Sequence, residues 1–430
     1  MDTQHVGIRK TLFRTLSPRV GLLFFLIAAT AGAAYGAPPV PLLAAGKPVT
    51  WWFVFKLNAS VFPECSKRAI RSCPFGGDVQ PYTSFGQQYV YDYKDDSGVP
   101  RDSTALQQGD GCLGDTEDDP VGATFDEIYH TTLHYVVWND QFYQDPTLPD
   151  CSGDSCGSPW GHSKGILAWD DSGEGLVMQV TTPSWPGSGS GLHPRASNDN
   201  SLGCVINNNV KFSQHFFALK LTHDDLLIVL QALANASVVT DPKDEQIASS
   251  NGGPVEVVAL VNALGKKSSS VTATRQSLST GVQVISKPSA LHVPPWQLVS
   301  SLLGGVPLRT ATWWTRPAIP STLSAVDCWD DSLHTPGSVA SATSGTFAGK
   351  PFSLKAGPSA NGNHAKIGVS TDSSHYTIFG DMNQQGAIGG GEKACGSSQN
   401  GRGGIFFVVQ DAGLSARVTS LLRGDTAPTD

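Results

Sequence analysis

Two tripeptides constrain this chain more than any other feature. His162-Ser163-Lys164 and His364-Ala365-Lys366 share the pattern His-x-Lys. With 11 His and 16 Lys in 430 positions, chance supplies about 0.4 such triplets, so context must decide what two of them mean. Each follows a polar, Gly-containing stretch and opens an apolar run, GHSKGILAWD in one case and NHAKIGVS in the other. On a strand, residues i and i+2 face the same side, so each histidine projects together with its lysine. Two such strands set face to face would supply two imidazoles and two ammonium groups to one place. The bland alternative is two surface pairs on unrelated strands.

The rest of the chain suits a strand-built frame. Apolar and β-branched runs separated by turn residues predict strands over 51–57, 88–93, 133–138, 165–169, 176–181 and 216–221, and again over 310–314, 366–370, 376–379 and 405–409. Asp225 to Asn235 reads as a helix with Thr222 or Asp224 as its N-cap, and 296–303 and 414–422 read as further helices. Mixed strands and helices give the class α/β. At roughly 150 residues per domain, 430 residues make two to three units or one large duplicated one. Asp241 to Pro254 is polar and Gly/Ser-rich, a linker or long surface loop. Val49-Thr50-Trp51-Trp52 and Ala311-Thr312-Trp313-Trp314 form a weak internal echo. Hydrophobic residues at 40% and charged residues at 15% exclude wholesale disorder and a coiled coil.

The first 36 residues read as an address. Arg9, Lys10, Arg14 and Arg19 precede an apolar stretch of twelve, Val20 to Ala31, and small residues follow, with Ala37 as the expected mature start. Twelve residues are too few to span a bilayer, which needs about 20. The expected division is therefore 1–36 signal peptide, 37–240 first half, 241–254 linker and 255–430 second half. Eight cysteines in an exported chain favour disulfides, with the pairing open; a zinc reading of Cys151 and Cys156 lacks a second pair. Asn58-Ala59-Ser60 and Asn235-Ala236-Ser237 are glycosylation sequons.

Two imidazoles and two ammonium groups suit phosphodiester cleavage without a metal. One imidazole attacks phosphorus and forms a phosphohistidine. The other protonates the leaving oxygen and then activates water. The lysines neutralise the non-bridging oxygens.

The chain resembles the deoxyribonuclease II family, a branch of the phospholipase D superfamily. The resemblance rests on VTWWFVFKL at 49–57, YVYDYKDDSG at 89–98, SPWGHSKGILAWDDSGEGLVMQVTTPSWP at 158–186 and NHAKIGVSTDSSHYTIFGDMNQQGAIGGGEKAC at 363–395. It implies a duplicated sandwich of two pseudo-symmetric halves, mixed β-sheets flanked by helices. It implies one site lined by His162, Lys164, His364 and Lys366, with Asn383 on a phosphate oxygen. It further implies DNA as substrate, acid activity, no metal or other cofactor, and 3′-phosphate products, so the 5′ oxygen leaves. His162 is expected as nucleophile and His364 as general acid, with the reverse left open by the symmetry. The second triplet is His-Ala-Lys where the animal enzymes of the family usually have His-Ser-Lys; on a strand Ala365 would point away from the site, so this departure is expected to have little effect. Asp170 and Asp372, shifted by one from the superfamily's acidic position, are given no catalytic role, and 181–186 has no Asn matching Asn383.

Other signals are weaker. His130 and His134 have helical metal spacing but lack the accompanying Glu. The Gly-rich stretch 386–404, with Lys393 and Arg402, reads as a loop or a phosphate cradle. Trp51, Trp52, Trp313 and Trp314 read as strand aromatics or base-stacking platforms, and Asn198-Asp199-Asn200 as a turn. Two rival functions share the residues: a phosphodiesterase acting on RNA or phospholipid, and a non-catalytic exported DNA-binding protein. Both triplets lie in one chain, so a monomer suffices for one site, and a homodimer is compatible. The expected destination is secreted or periplasmic, or lysosomal in an animal. The net charge of −8 opposes DNA binding at neutral pH. Losing residues 1–36 takes it to −11, and protonation of the ten remaining histidines would return it to about −1 near pH 5.

Overall fold

The structure, a computed structural model, describes residues 38–66, 73–75, 88–97, 104–111, 113–114, 116–141, 151, 155–183, 212–241, 251–357 and 362–430. The expected signal peptide, most of the expected linker, Cys112, Cys204 and the 198–200 turn lie outside these residues. Residues 38–430 form one compact unit.

Seven strands build the first sheet: β1 (Trp51–Lys56), β2 (Tyr89–Lys94), β3 (Gln107–Gln108), β4 (His134–Asn139), β5 (Lys164–Trp169), β6 (Gly175–Val180) and β7 (Gln214–Leu221). Their order is β3-β2-β1-β7-β6-β5-β4, antiparallel throughout. Helix α1 (Pro120–Tyr129) precedes β4, and α2 (His223–Asn235) follows β7. Asp119 caps α1 by accepting from the Val121 and Gly122 amides, and a Thr222–Asp225 capping box opens α2.

The second half begins with α3 (Val255–Ala263), β8 (Thr274–Ser277), β9 (Gln283–Lys287) and α4 (Pro295–Leu302). There follow β10 (Leu308–Ala311), β11 (Val339–Ser341) and a hairpin of β12 (Ser344–Phe347) and β13 (Lys350–Ser353). The chain ends through β14 (Ile367–Ser370), β15 (Tyr376–Gly380), the one-turn α5 (Glu392–Cys395), β16 (Gly404–Gln410) and α6 (Ala412–Leu421). The second large sheet runs β11-β10-β14-β15-β16-β9-β8, with only β10–β11 parallel.

The sheets pack face to face because their strands are apolar on both sides. All six residues of β1 are buried. Trp51, Phe53 and Phe55 point to the central layer, and Trp52 and Val54 to the opposite face, where α1 packs. Across the centre, Phe53 and Phe217 each stack on Phe379 of the second sheet, with ring centroids 4.6 and 4.5 Å apart. Apolar residues of α2 and α6 complete this layer, and α4 covers the far face of the second sheet through Trp296 and Val299. Replacing Phe379 by Ala would cost about 3–5 kcal/mol, because it touches both sheets.

The order β2-β1-β7-β6-β5-β4 is repeated by β8-β9-β16-β15-β14-β10. This is the expected duplicated sandwich. The Trp-Trp echo does not mark it: Trp51 and Trp52 sit on β1, whereas Ala311 ends β10, the counterpart of β4. The true counterpart of β1 is β9, and each ends in a buried lysine, Lys56 or Lys287.

Disulfides join Cys65–Cys73, Cys151–Cys156 and Cys328–Cys395. The Cys151–Cys156 bond leaves no thiolates there for zinc. Neither sequon presents a free amide. Asn58 is fully buried on Ser213, and Asn235 donates to Ser286 and to the Thr272 carbonyl. Among the described residues no helix is long and apolar enough to cross a membrane.

Candidate active site

The two His-x-Lys units enter their sheets in the same way. Lys164 opens β5, and Lys366 directly precedes β14. The His162 amide donates to the Gly403 carbonyl at 2.8 Å, just before β16, and the His364 amide donates to the Ser213 carbonyl at 2.7 Å, just before β7. Each triplet is thus docked on the last strand of the opposite half. The glycines beside the first docking point are required by space. A Cβ on Gly161 or Gly403 would stand 2.5 or 2.0 Å from the Ala236 carbonyl at the end of α2. Around the second, Asn363 brackets Ala365, accepting from its amide and donating to its carbonyl.

The four motif side chains act on one another electrostatically. His162 senses Lys164 and Lys366, His364 senses Lys366 and Lys164, and Lys366 senses Lys164. The structure therefore brings together all four sequence-predicted residues. It also supplies partners that the sequence did not reveal.

His162 is buried, and its Nδ1 lies 2.7 Å from the Asp381 carbonyl. A carbonyl only accepts, so Nδ1 carries the proton and Nε2 keeps its lone pair. Burial, aided by Lys164, Arg402 and Lys366, holds this imidazole well below the usual histidine range and outweighs Asp140. Lys164 Nζ donates to Asp140 Oδ1, and Arg402 donates to Asp140 Oδ2 at 2.7 Å. Burial would raise the Asp140 carboxyl, but Lys164, His162 and Arg402 keep it well below the carboxylate range. Arg402 also donates to the carbonyls of Trp160 and Gly161. It is committed to the inter-half contact and is not a free phosphate cradle; Lys393 is exposed on α5.

Ser163 is not idle. Its hydroxyl donates to Asp381 Oδ2 at 2.5 Å and accepts from the Trp138 indole at 2.7 Å. Facing away from the motif pair, Ser163 meets the other half rather than solvent. Burial pushes the Asp381 carboxyl up to about 7, against the hydrogen bonds from Ser163 and the Ile405 amide.

His364 has different surroundings. Its ring stacks on Phe212 at 4.7 Å and 7°, and Trp313 lies tilted at 5.3 Å. Among the described residues nothing hydrogen-bonds its ring nitrogens. Burial, then Lys366, Lys164 and Lys56, hold it well below the usual range. Lys366 Nζ donates to the His364 carbonyl at 2.5 Å, and burial brings this ammonium down to about 7. His215 on β7 is a further histidine at the site. Its Nδ1 accepts the Lys366 amide, and it is held well below the usual range by burial and by Lys366.

Asn383 follows two residues after Asp381. Its side-chain amide donates to Gln385 at 2.9 Å and its backbone N–H to Gln399 at 3.4 Å; among the described residues neither bond reaches a His-x-Lys unit. Asp170 and Asp372 both cap exposed turns, accepting from Ser172 and Ser374. His130 pairs with Asp126 and His134 with Asp171, so they do not converge. Trp51 and Trp52 belong to the core, and of the four tryptophans only Trp313 meets a motif residue.

A family described as deoxyribonuclease II matches residues 42–411, which include both His-x-Lys units, Asp140, Asp381 and Arg402. No curated protein gives a significant match.

Proposed function

The chain belongs to the deoxyribonuclease II family and is a phosphodiester hydrolase of DNA; we propose that it cuts internally, without a metal, through a covalent phosphohistidine. His162 Nε2 attacks phosphorus as the P–O5′ bond breaks, and His364 gives its proton to the departing 5′ oxygen. The N–P adduct keeps the 3′ oxygen. His364, now neutral, takes a proton from water, whose oxygen displaces His162 and leaves a 3′-phosphate. Lys164 and Lys366 lower the charge on the phosphoryl oxygens, and Asn383 donates to one of them through its remaining amide hydrogen.

The observation that carries this reading is the reciprocal docking, which sets both His-x-Lys units at one inter-half seam. Acid activity follows from the protonation states. His162 must be neutral, and its depressed pKa keeps it so. His364 must start protonated, and its own depressed pKa means that the competent fraction grows as pH falls. The basic start and the apolar run of residues 1–36 support export to a secreted, periplasmic or lysosomal setting. The test is plasmid DNA at pH 5 with excess chelator. Cleavage is expected to persist, and to be lost in His162→Ala and His364→Ala. A requirement for added divalent metal would refute the mechanism.

A further inference from the structure

The residue after β15 is Asp381, and the residue after β6 is Thr181. These are equivalent positions in the two halves. Both side chains tie down the last strand of their own half: Asp381 Oδ2 accepts the Ile405 amide at 3.2 Å, and Thr181 Oγ1 accepts the His215 amide at 2.9 Å. Only Asp381 also reaches across the seam. Its Oδ2 accepts the Ser163 hydroxyl at 2.5 Å, and its carbonyl accepts His162 Nδ1–H at 2.7 Å. One residue of the second half therefore holds two consecutive residues of the first motif. The opposite motif has Ala365, which offers no hydroxyl, and His364, whose ring is held by stacking.

We infer that Asp381 is the positioning residue that fixes His162 in its Nδ1–H form and so presents Nε2 to phosphorus. This rests on the reading of His162 as the nucleophile. An imidazole without this partner can change tautomer or rotate about its Cβ bond, and either change removes the lone pair from the line of attack. The carbonyl that grips Nδ1 cannot drift, because Asp381 is pinned through its own amide to the Ile405 carbonyl at 3.2 Å as well as through its carboxyl. Asp381 is buried, and its Oδ1 has no hydrogen-bond partner among the described residues. A neutral carboxylic acid suits that place, so asparagine should substitute for it.

The test combines kinetics with imidazole nitrogen chemical shifts of His-labelled protein. In the wild type, His162 is expected to show the Nδ1–H signature at neutral pH. Ser163→Ala should lower kcat about tenfold with KM within about twofold, and should mix the two tautomers. Asp381→Leu should lower kcat about a hundredfold, whereas Asp381→Asn should restore most of the rate and the single tautomer at pH 5. Melting temperatures identify folded variants, and Ser163→Ala suffices if Asp381→Leu does not fold. Unchanged kcat and an unchanged Nδ1–H signal in folded Ser163→Ala would overturn the inference. His162→Asn runs alongside: full activity there would sink the nucleophile reading itself, while the tautomer signal of His162 in the wild type and in Ser163→Ala still reports on the clamp.

Discussion

The two histidines occupy equivalent backbone positions in opposite surroundings. Asn139 lies opposite Lys164, and the register of β10 with β14 places Thr312 opposite Lys366, so Asp140 and Trp313 are counterparts. Arg402 and Phe212 each stand two residues before the last strand of their half. Where the first motif meets Asp140 and Arg402, the second meets Trp313 and Phe212. Duplication repeated the docking of the main chain, and the side chains then diverged. A hydrogen-bonded, charged nest suits an imidazole that must stay neutral and aimed. A stack of rings fixes the plane of an imidazole while leaving both nitrogens free to gain and lose a proton, which is what an acid that becomes a base requires.

The comparison can be broken most severely at Asp140. Asp140→Ala leaves Lys164 and Arg402 buried without their carboxylate, a change that costs about 3–5 kcal/mol, and activity should fall by about a hundredfold or more. Denaturant unfolding and plasmid cleavage measure the two effects. Near-normal values of both would show that the nest is not what holds the first motif.

The aromatic side is probed by Phe212→Leu. Opening the stack lets water reach His364, so its pKa should move up toward the ordinary histidine value. The expected result is a kcat about tenfold lower at pH 5, with the alkaline limb of the pH profile shifted upward. A profile of unchanged shape would mean that the ring does not tune His364. The lysines give a further limb. Burial brings Lys366 down to about 7, so its charge is present below that pH and lost above it. Activity should fall as pH rises through 7, and Lys366→Arg, which stays charged, should weaken that fall even if its rate is lower. The smallest change is expected from Ala365→Ser. Thr181 Oγ1 already donates to Gln214 and accepts the His215 amide, so an added hydroxyl finds no counterpart of Asp381. Activity should stay within about twofold, in contrast to Ser163→Ala.

Much of the frame was legible in the sequence because β1, β5, β6 and β7 are unbroken apolar runs buried along nearly their whole length. β9 was not, although all five of its residues are buried, because Gln283, Ser286 and Lys287 disguise it as polar. Helix α1 was missed because it is short and contains Gly122, and tertiary packing of Val121, Phe125 and Ile128 overrides that weakness. The expected strand over 310–314 stops at Ala311. From there Trp313 turns toward His364, and Trp314 donates to the Ile319 carbonyl. At the site, the paired triplets carry a pattern that a sequence can show. Asp140, Asp381 and Arg402 carry none: each is a single residue whose role comes from contacts more than twenty positions away.

The central claim is that the two histidines do different work, with His162 forming the bond to phosphorus. The most direct measurement is rapid acid-free quenching of the enzyme on DNA at pH 5 with excess chelator, followed by mass mapping of the adduct. The account predicts a nucleotidyl phosphoramidate on the peptide containing His162 in the wild type, and none in His162→Ala. An adduct on His364, or cleavage that appears only when divalent metal is added and leaves no adduct, would contradict it.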